Sequence, residues 1–169
     1  THIFLCLTLI ASISSYAQSD NVFRNSNHNI SFRYNDNWTE QQPQFKSTLC
    51  MLHEKEIHAS CNLSFIKAER NSVDKYDNEY MSIITNQVFN NPKNLKVRFE
   101  KIGGKSFSIS TLDWTYPNIA DDEPIKGKAV LYTTNSSGNR YMMVFTVPSE
   151  NYDLLKNELV YMAGTLLFE

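Results

Sequence analysis

Charge of one sign is scarce in this chain: 16 Lys and Arg face 18 Asp and Glu across 169 residues, a formal net charge of -2. That balance gives no electrostatic footprint for nucleic acid, which needs a clustered basic face. No run of like charge is longer than Asp121-Asp122-Glu123, so a charged tail is excluded as well. The marks of common catalysts are also missing. No Ser stands on a Gly-framed elbow, and Gly103-Gly104 lacks the longer glycine spacing and following helix of a phosphate loop. A Cys-x-x-Cys redox pair at a helix start is absent too. Paired carboxylates leave no local signature. The sequence therefore carries no support for an enzyme, and no cofactor is expected. Nor does any apolar run reach the roughly 20 residues of a spanning helix.

What is present begins with THIFLCLTLIASISSYAQSD, where residues 3 to 13 are mostly apolar and small residues follow, ending at Ala17. This is the apolar core and cleavage pattern of a secretory signal, so residues 1–17 are expected to be removed and the product to be secreted or periplasmic. Cys6 follows bulky Leu5 and precedes further apolar residues, which argues against lipid attachment. The remaining stretch of about 150 residues suffices for one domain. Residues 18–28 are polar and Asn-rich and read as a flexible leader, with the domain spanning 29–169.

No repeat, low-complexity segment or linker divides the chain. Ile30, Phe32 and Tyr34 alternate with Ser31 and Arg33 in a first strand, and 46–53 with 58–67 form a hairpin. A helix is expected from Asn71 or Ser72 to about Asn90, with Val73, Tyr76, Tyr80, Ile83, Ile84 and Val88 at helical spacing. Leu95, Val97 and Phe99 alternate up to the Gly103-Gly104 turn. In KSFSISTLDWTY the apolar phase slips near Ser110-Thr111, which predicts a bulge or bend. A further hairpin closes over 135–139, and its apolar run Tyr141 to Val147 suggests a central strand covered on both faces. A last helix is expected from about Glu150 to Gly164. The order βββ-α-ββββ-α implies an α+β domain, an antiparallel sheet with helices on its faces.

One stretch, CMLHEKEIHASC, sets Cys50, His53, His58 and Cys61 at metal-ligand spacing. With a turn at 54–57, Cys50 lies opposite Cys61 and His53 opposite His58. Strand alternation then sends the cysteines to the core face and the histidines to the other. Four ligands cannot converge on one zinc ion from opposite faces. Opposed strand residues do suit a disulfide. Closing this loop would stabilise the fold by roughly 3 kcal/mol; free buried thiols are the alternative. His53 and His58, beside Glu54 and Glu56, form a weak metal candidate or a pair of solvated imidazoles. Asp121-Asp122-Glu123 lacks the spaced pattern of a calcium loop and reads as a solvated turn.

The segment Ile30-Ser31-Phe32-Arg33-Tyr34-Asn35-Asp36-Asn37-Trp38 resembles the opening of PsbP-like proteins, the family that includes DcrB-like periplasmic members. The later order agrees: a hairpin, a helix near Ser72-Val73-Asp74, the Gly103-Gly104 turn, Tyr141-Met142-Met143-Val144-Phe145, and the closing helix with Gly164-Thr165-Leu166-Leu167-Phe168. Asn35 departs from the family's usual Pro, a change a turn tolerates. The resemblance implies a PsbP-like α/β/α sandwich in an accessory or binding role, with no shared catalytic residues to carry over. The leading expectation is a non-enzymatic secreted or periplasmic protein whose partner is another protein. One form is a toxin-neutralising immunity protein, with Trp114, Tyr116 and Asp121 as partner contacts. A small-molecule or metal-binding module is the alternative, and a hydrolase the third reading.

Overall fold

The computed structural model describes residues 20–67, 72–116 and 123–169. Three strands open the domain: β1 (Asp20–Asn25), β2 (Ile30–Asn35) and β3 (Trp38–Gln41). The hairpin β4 (Thr48–Glu54) and β5 (Ser60–Lys67) precedes helix α1 (Asn78–Val88). Four long strands follow, β6 (Lys93–Ile102), β7 (Lys105–Tyr116), β8 (Ile125–Ser136) and β9 (Asn139–Pro148), then α2 (Tyr152–Gly164) and a short β10 (Leu167–Phe168). They form a seven-stranded sheet, ordered β3-β4-β5-β9-β8-β7-β6, and a three-stranded sheet, β1-β2-β10. The pairings in both are antiparallel.

Two cores lie on opposite faces of the large sheet. On one, Phe107, Ile109, Val130, Tyr132, Met143 and Phe145 meet α2 through Leu155, Leu159 and Met162, and the small sheet through Phe23, Ile30 and Phe32. On the other, Leu112, Ala129 and Leu131 meet Tyr76 and α1 through Met81 and, just beyond the helix, Phe89. The result is the expected α+β architecture. β9 lies between β5 and β8 with apolar residues on both faces, as its unbroken apolar run requires.

Several local expectations need correction. Residues 20–25, assigned to a flexible leader, form β1 in full register with β2, because Phe23 finds Phe32 at 5.3 Å and is buried. The first helix is broken: a 3-10 turn at Val73–Lys75 is capped by Ser72, and Asp77 caps α1 by accepting the Tyr80 N–H. Tyr76 between them is buried and donates to Asn135, so a core contact outweighs helix continuity. Along β7 the register with β8 is unbroken from Ser108 to Tyr116, and the shift lies on β6 between Lys93 and Lys96, where Asn94 has φ +55°. The apolar phase changes along β7 because each face is buried in turn: Phe107 and Ile109 under α2, Leu112 and Trp114 towards α1.

The β6–β7 turn is built from Gly103 and Gly104, at φ +56° and +80°. Gly103 packs so closely on the C-terminal end of α2 that a Cβ would overlap the Gly164 carbonyl. The β8–β9 turn uses Ser137 and Gly138, also at positive φ, with open space around Gly138. Gly103→Ala is expected to destabilise by about 3 kcal/mol, adding a backbone clash to the left-handed penalty. Gly138→Ala should cost only about 1 kcal/mol, the conformational part alone. Denaturant midpoints measure both, and equal losses would contradict the proposed contact.

Candidate functional site

The structure moves the β4–β5 hairpin one step from the expected turn. Glu54 belongs to β4 and pairs with Ala59, its N–H donating to the Ala59 carbonyl at 2.9 Å, so the loop is 55–58. The Glu54 side chain, 1% exposed, accepts from the Glu56 N–H at 3.0 Å and the Ile57 N–H at 2.5 Å. His58 closes the loop at φ +60°. Cys50 therefore faces Leu63 and Cys61 faces Leu52, correcting the expected direct opposition of the two cysteines. The expected turn, 54–57, begins with Glu54 in the loop. Its carboxylate instead satisfies turn amides from inside.

A slip of this parity leaves the faces unchanged. Cys50 and Cys61 are both buried in the α2-side core, as diagonal neighbours and as free thiols. Burial pushes both thiols well above their ordinary range, with Glu40 adding to the effect at Cys50 and Cys50 at Cys61. This environment disfavours the thiolate form of both. His53 and His58 do meet, with ring centroids 5.7 Å apart. Among the described residues no group of three or more His, Cys, Asp and Glu side chains converges to hold a metal ion.

Trp114 is the best-placed of the expected contact residues. It pairs across the sheet with Gly127, and its indole lies so close over that glycine that a Cβ there would strike it. Phe89 meets it edge-on at 5.3 Å. An aromatic ring laid on a strand glycine and braced by a second ring has little freedom left. Trp114 also lines two neighbouring clefts. One, of about 410 Å³, is lined by Lys93, Asp113, Lys126 and Lys128, with Asn91 and Ser149 nearby. The other, of about 500 Å³, is lined by Glu56, Ile57, His58, Ile125, Thr146 and Glu150. The fold thus joins His58 and Trp114, which lie far apart in sequence, in one cleft. Tyr116 ends β7 paired with Ile125, and Asp121 lies outside the described residues, as does the expected signal segment.

The clefts differ in charge. In the first, Asp113 accepts from Asn94 at 2.8 Å and from Lys128 at 2.6 Å, and these two partners hold its carboxyl below the usual range. Lys93 and Lys126 add positive charge there. The second carries Glu56 and Glu150 beside His58. Two clefts of opposite charge thus meet at one indole.

A buried polar cluster escaped the sequence reading. Glu158, on α2, accepts from the Trp38 indole N–H at 2.6 Å and from the Asn35 side-chain amide. Trp38 is 2% exposed, and a buried indole needs an acceptor. Burial raises the Glu158 carboxyl above its ordinary value, the Trp38 bond opposes this, and Glu54 adds to the rise. The available signal was a carboxylate flanked by Leu155, Leu159 and Met162 on an otherwise apolar stripe.

No family model and no curated protein matches the sequence. Solved structures do. The chain superposes on cyanobacterial PsbP (CyanoP) of Synechocystis sp. PCC 6803 with TM-score 0.56 and 13% identity, covering 92% of this chain and 96% of that one. The fold is PsbP-like. The Saccharomyces cerevisiae Ran-binding protein Mog1p, with TM-score 0.58 and 7% identity, covers 90% of this chain and 96% of its own. A Bacteroides thetaiotaomicron VPI-5482 protein has TM-score 0.58 and 14% identity, and the chain spans only 48% of that protein's length. At these identities the likeness establishes the PsbP-like fold, as the Ile30 to Trp38 segment implied, and leaves the chemistry to the site itself. Mog1p is named for binding a protein, Ran. Among the described residues of this PsbP-like domain no helix is long and apolar enough to cross a membrane.

Because the Glu158 carboxyl is raised in the folded state, its stability contribution is fully present below its ordinary value of 4.5 and is lost as pH rises through the folded value. Glu158→Gln keeps an acceptor for Trp38 and Asn35 and removes the charge near Glu54. Its unfolding free energy should equal or exceed wild type at pH 7 and lose that pH-dependent decline. Glu158→Ala should cost about 2 kcal/mol by leaving two buried donors unpaired. Chemical denaturation across pH 4 to 8 separates the outcomes.

Proposed function

We propose that this chain is a secreted or periplasmic, non-enzymatic protein-binding module that takes a partner's side chains into the clefts meeting at Trp114. The observation that carries this reading is the indole itself, seated on Gly127, braced by Phe89 and shared by both clefts. Rigid aromatic anchors beside pockets of mixed charge are the usual centres of binding energy at protein interfaces. A basic cleft next to an acidic one also gives a partner a defined orientation through charge complementarity. A toxin-neutralising immunity protein is the specific form we favour, with Tyr116 and Asp121 extending the contact beyond Trp114. The clefts also fall within the 300–1,000 Å³ range of small-molecule sites, so a small-ligand module is the second reading.

Quantitative affinity capture from the native secretory or periplasmic fraction tests the proposal. Wild type should enrich one protein at least tenfold over Trp114→Ala, with Trp114→Phe intermediate and thermal melts confirming that both variants fold. Equal recovery by all three removes the Trp114 interface.

In an oxidising compartment we further propose that Cys50 and Cys61 join. The register shift between Thr48 and Cys50 lies beside the first cysteine, where the strand can move towards Cys61. Protein purified from such a compartment, denatured without reductant, should be two mass units lighter than its reduced form and take up no alkylating reagent. Two alkylated thiols would refute the bridge.

A further inference from the structure

The large sheet ends in an open edge. β6 has β7 on one side, and no described strand lies beyond it. At ten residues it is the longest open edge among the described residues: β3 has four residues, β1 has six and β10 has two. Its outer N–H and C=O groups form a ready template for another strand.

The side chains specify what that strand should contain. β6 carries Lys93, Lys96, Arg98 and Lys101 against a single acid, Glu100, which pairs with Arg98 at 3.2 Å. Beyond the shift at Asn94 the faces alternate. Leu95 and Val97 pack towards α1, and Phe99 shares their face but is 49% exposed. Lys96, Arg98 and Glu100 share the opposite face with Ile102, which packs into the α2-side core. Lysines on an edge discourage self-pairing. The lysines and the shift near Asn94 are the usual protection of an edge, and the shift is confined to the start of its pairing. Here the register from Lys96 to Ile102 is regular, and a large apolar ring stands half uncovered in its middle.

We propose that β6 accepts an extended segment of a partner protein in which apolar and acidic residues alternate, adding an eighth strand to the sheet. The apolar side chains cover Phe99 and Val97, and the acidic ones face Lys96 and Arg98. Backbone hydrogen bonds supply affinity, and the alternation supplies specificity. This rests on the reading of the chain as a protein-binding module and gives the chemistry of what it binds. Its contacts, residues 96 to 102, line neither of the Trp114 clefts, which β6 reaches through Lys93, so each claim can fail alone.

The probe is a capped, fluorescein-labelled peptide of alternating Val and Glu, about eight residues long to match the regular part of the strand. A Val/Lys peptide of the same length is its counterpart. Two further Val/Glu peptides carry N-methyl groups on alternate residues, so that each blocks one peptide edge. Anisotropy should show the Val/Glu peptide binding at least tenfold more tightly than Val/Lys, with affinity falling as salt is added. Lys96→Glu with Arg98→Glu should weaken it at least tenfold and either reversal alone should weaken it less, while Lys156→Glu, equal in charge change to either single reversal but placed on α2, leaves it unchanged. One N-methylated peptide should lose binding and the other keep it, and hydrogen exchange should slow at β6 amides. If the double variant does not fold, the salt dependence and the N-methylated pair in wild type decide. Equal affinity for both charges, binding by both N-methylated peptides, protection at β1 or β3 instead, or a β6-paired dimer in sedimentation would each overturn the proposal.

Discussion

Helix α2 is pinned at two points, and the arrangement of both sheets follows from that. Midway along it, Glu158 takes hydrogen bonds from Trp38 and Asn35 and so ties the helix to the end of β2 and the start of β3. At its C-terminus, the Gly164 carbonyl meets Gly103 at the tip of the β6–β7 hairpin. Just after it, the Thr165 hydroxyl accepts the Arg33 N–H at 2.9 Å and β10 pairs with β2. One helix thus spans from the short edge of the large sheet to its long hairpin. It holds the small sheet against the same apolar face. The missing Cβ of Gly103 is what lets backbone approach backbone there, and Gly164 leaves room for the Ile102 side chain.

With α2 and the small sheet committed to one face, the other face, among the described residues, receives the 3-10 turn and α1. That face buries Tyr76, Met81 and Phe89 around Leu112, Ala129 and Leu131. Trp114 stands towards its margin, where Gly127 leaves room for the indole to lie on the strand. The clefts beside it contain oppositely charged groups, Lys93, Lys126 and Lys128 in one and Glu56 and Glu150 in the other. A near-neutral chain can therefore present strongly polar local surfaces, because folding separates charges that are interspersed in sequence. The same separation concentrates base on β6.

Much of the architecture was legible from patterning. The strands from Leu95 onward, the glycine turn, the buried central strand and the closing helix all follow from alternation and punctuation that tertiary contacts did not override. The misses come from contacts that residue type and periodicity do not show. Glu54 was read as a turn residue and is a buried anchor for turn amides. Tyr76 has the spacing of a helical stripe residue and is withdrawn from the helix by Asn135 and the core. The Asn-rich leader hid Phe23, whose partner Phe32 lies nine residues away on a neighbouring strand. On β7 the phase change suggests a local bulge or bend, whereas its cause is burial on alternate faces.

Strand parity depends only on a two-residue period, so the sequence by itself determined that Cys50 and Cys61 share the core face and that His53 stands on the other. It could not determine which residues oppose each other. Register depends on where the chain reverses, and a single buried carboxylate moved that point by one residue. The candidate binding surface is likewise a product of the tertiary structure. Trp114, Gly127 and His58 come together only because β7, β8 and the β4–β5 loop converge at one end of the sheet, through pairings between residues far apart along the chain.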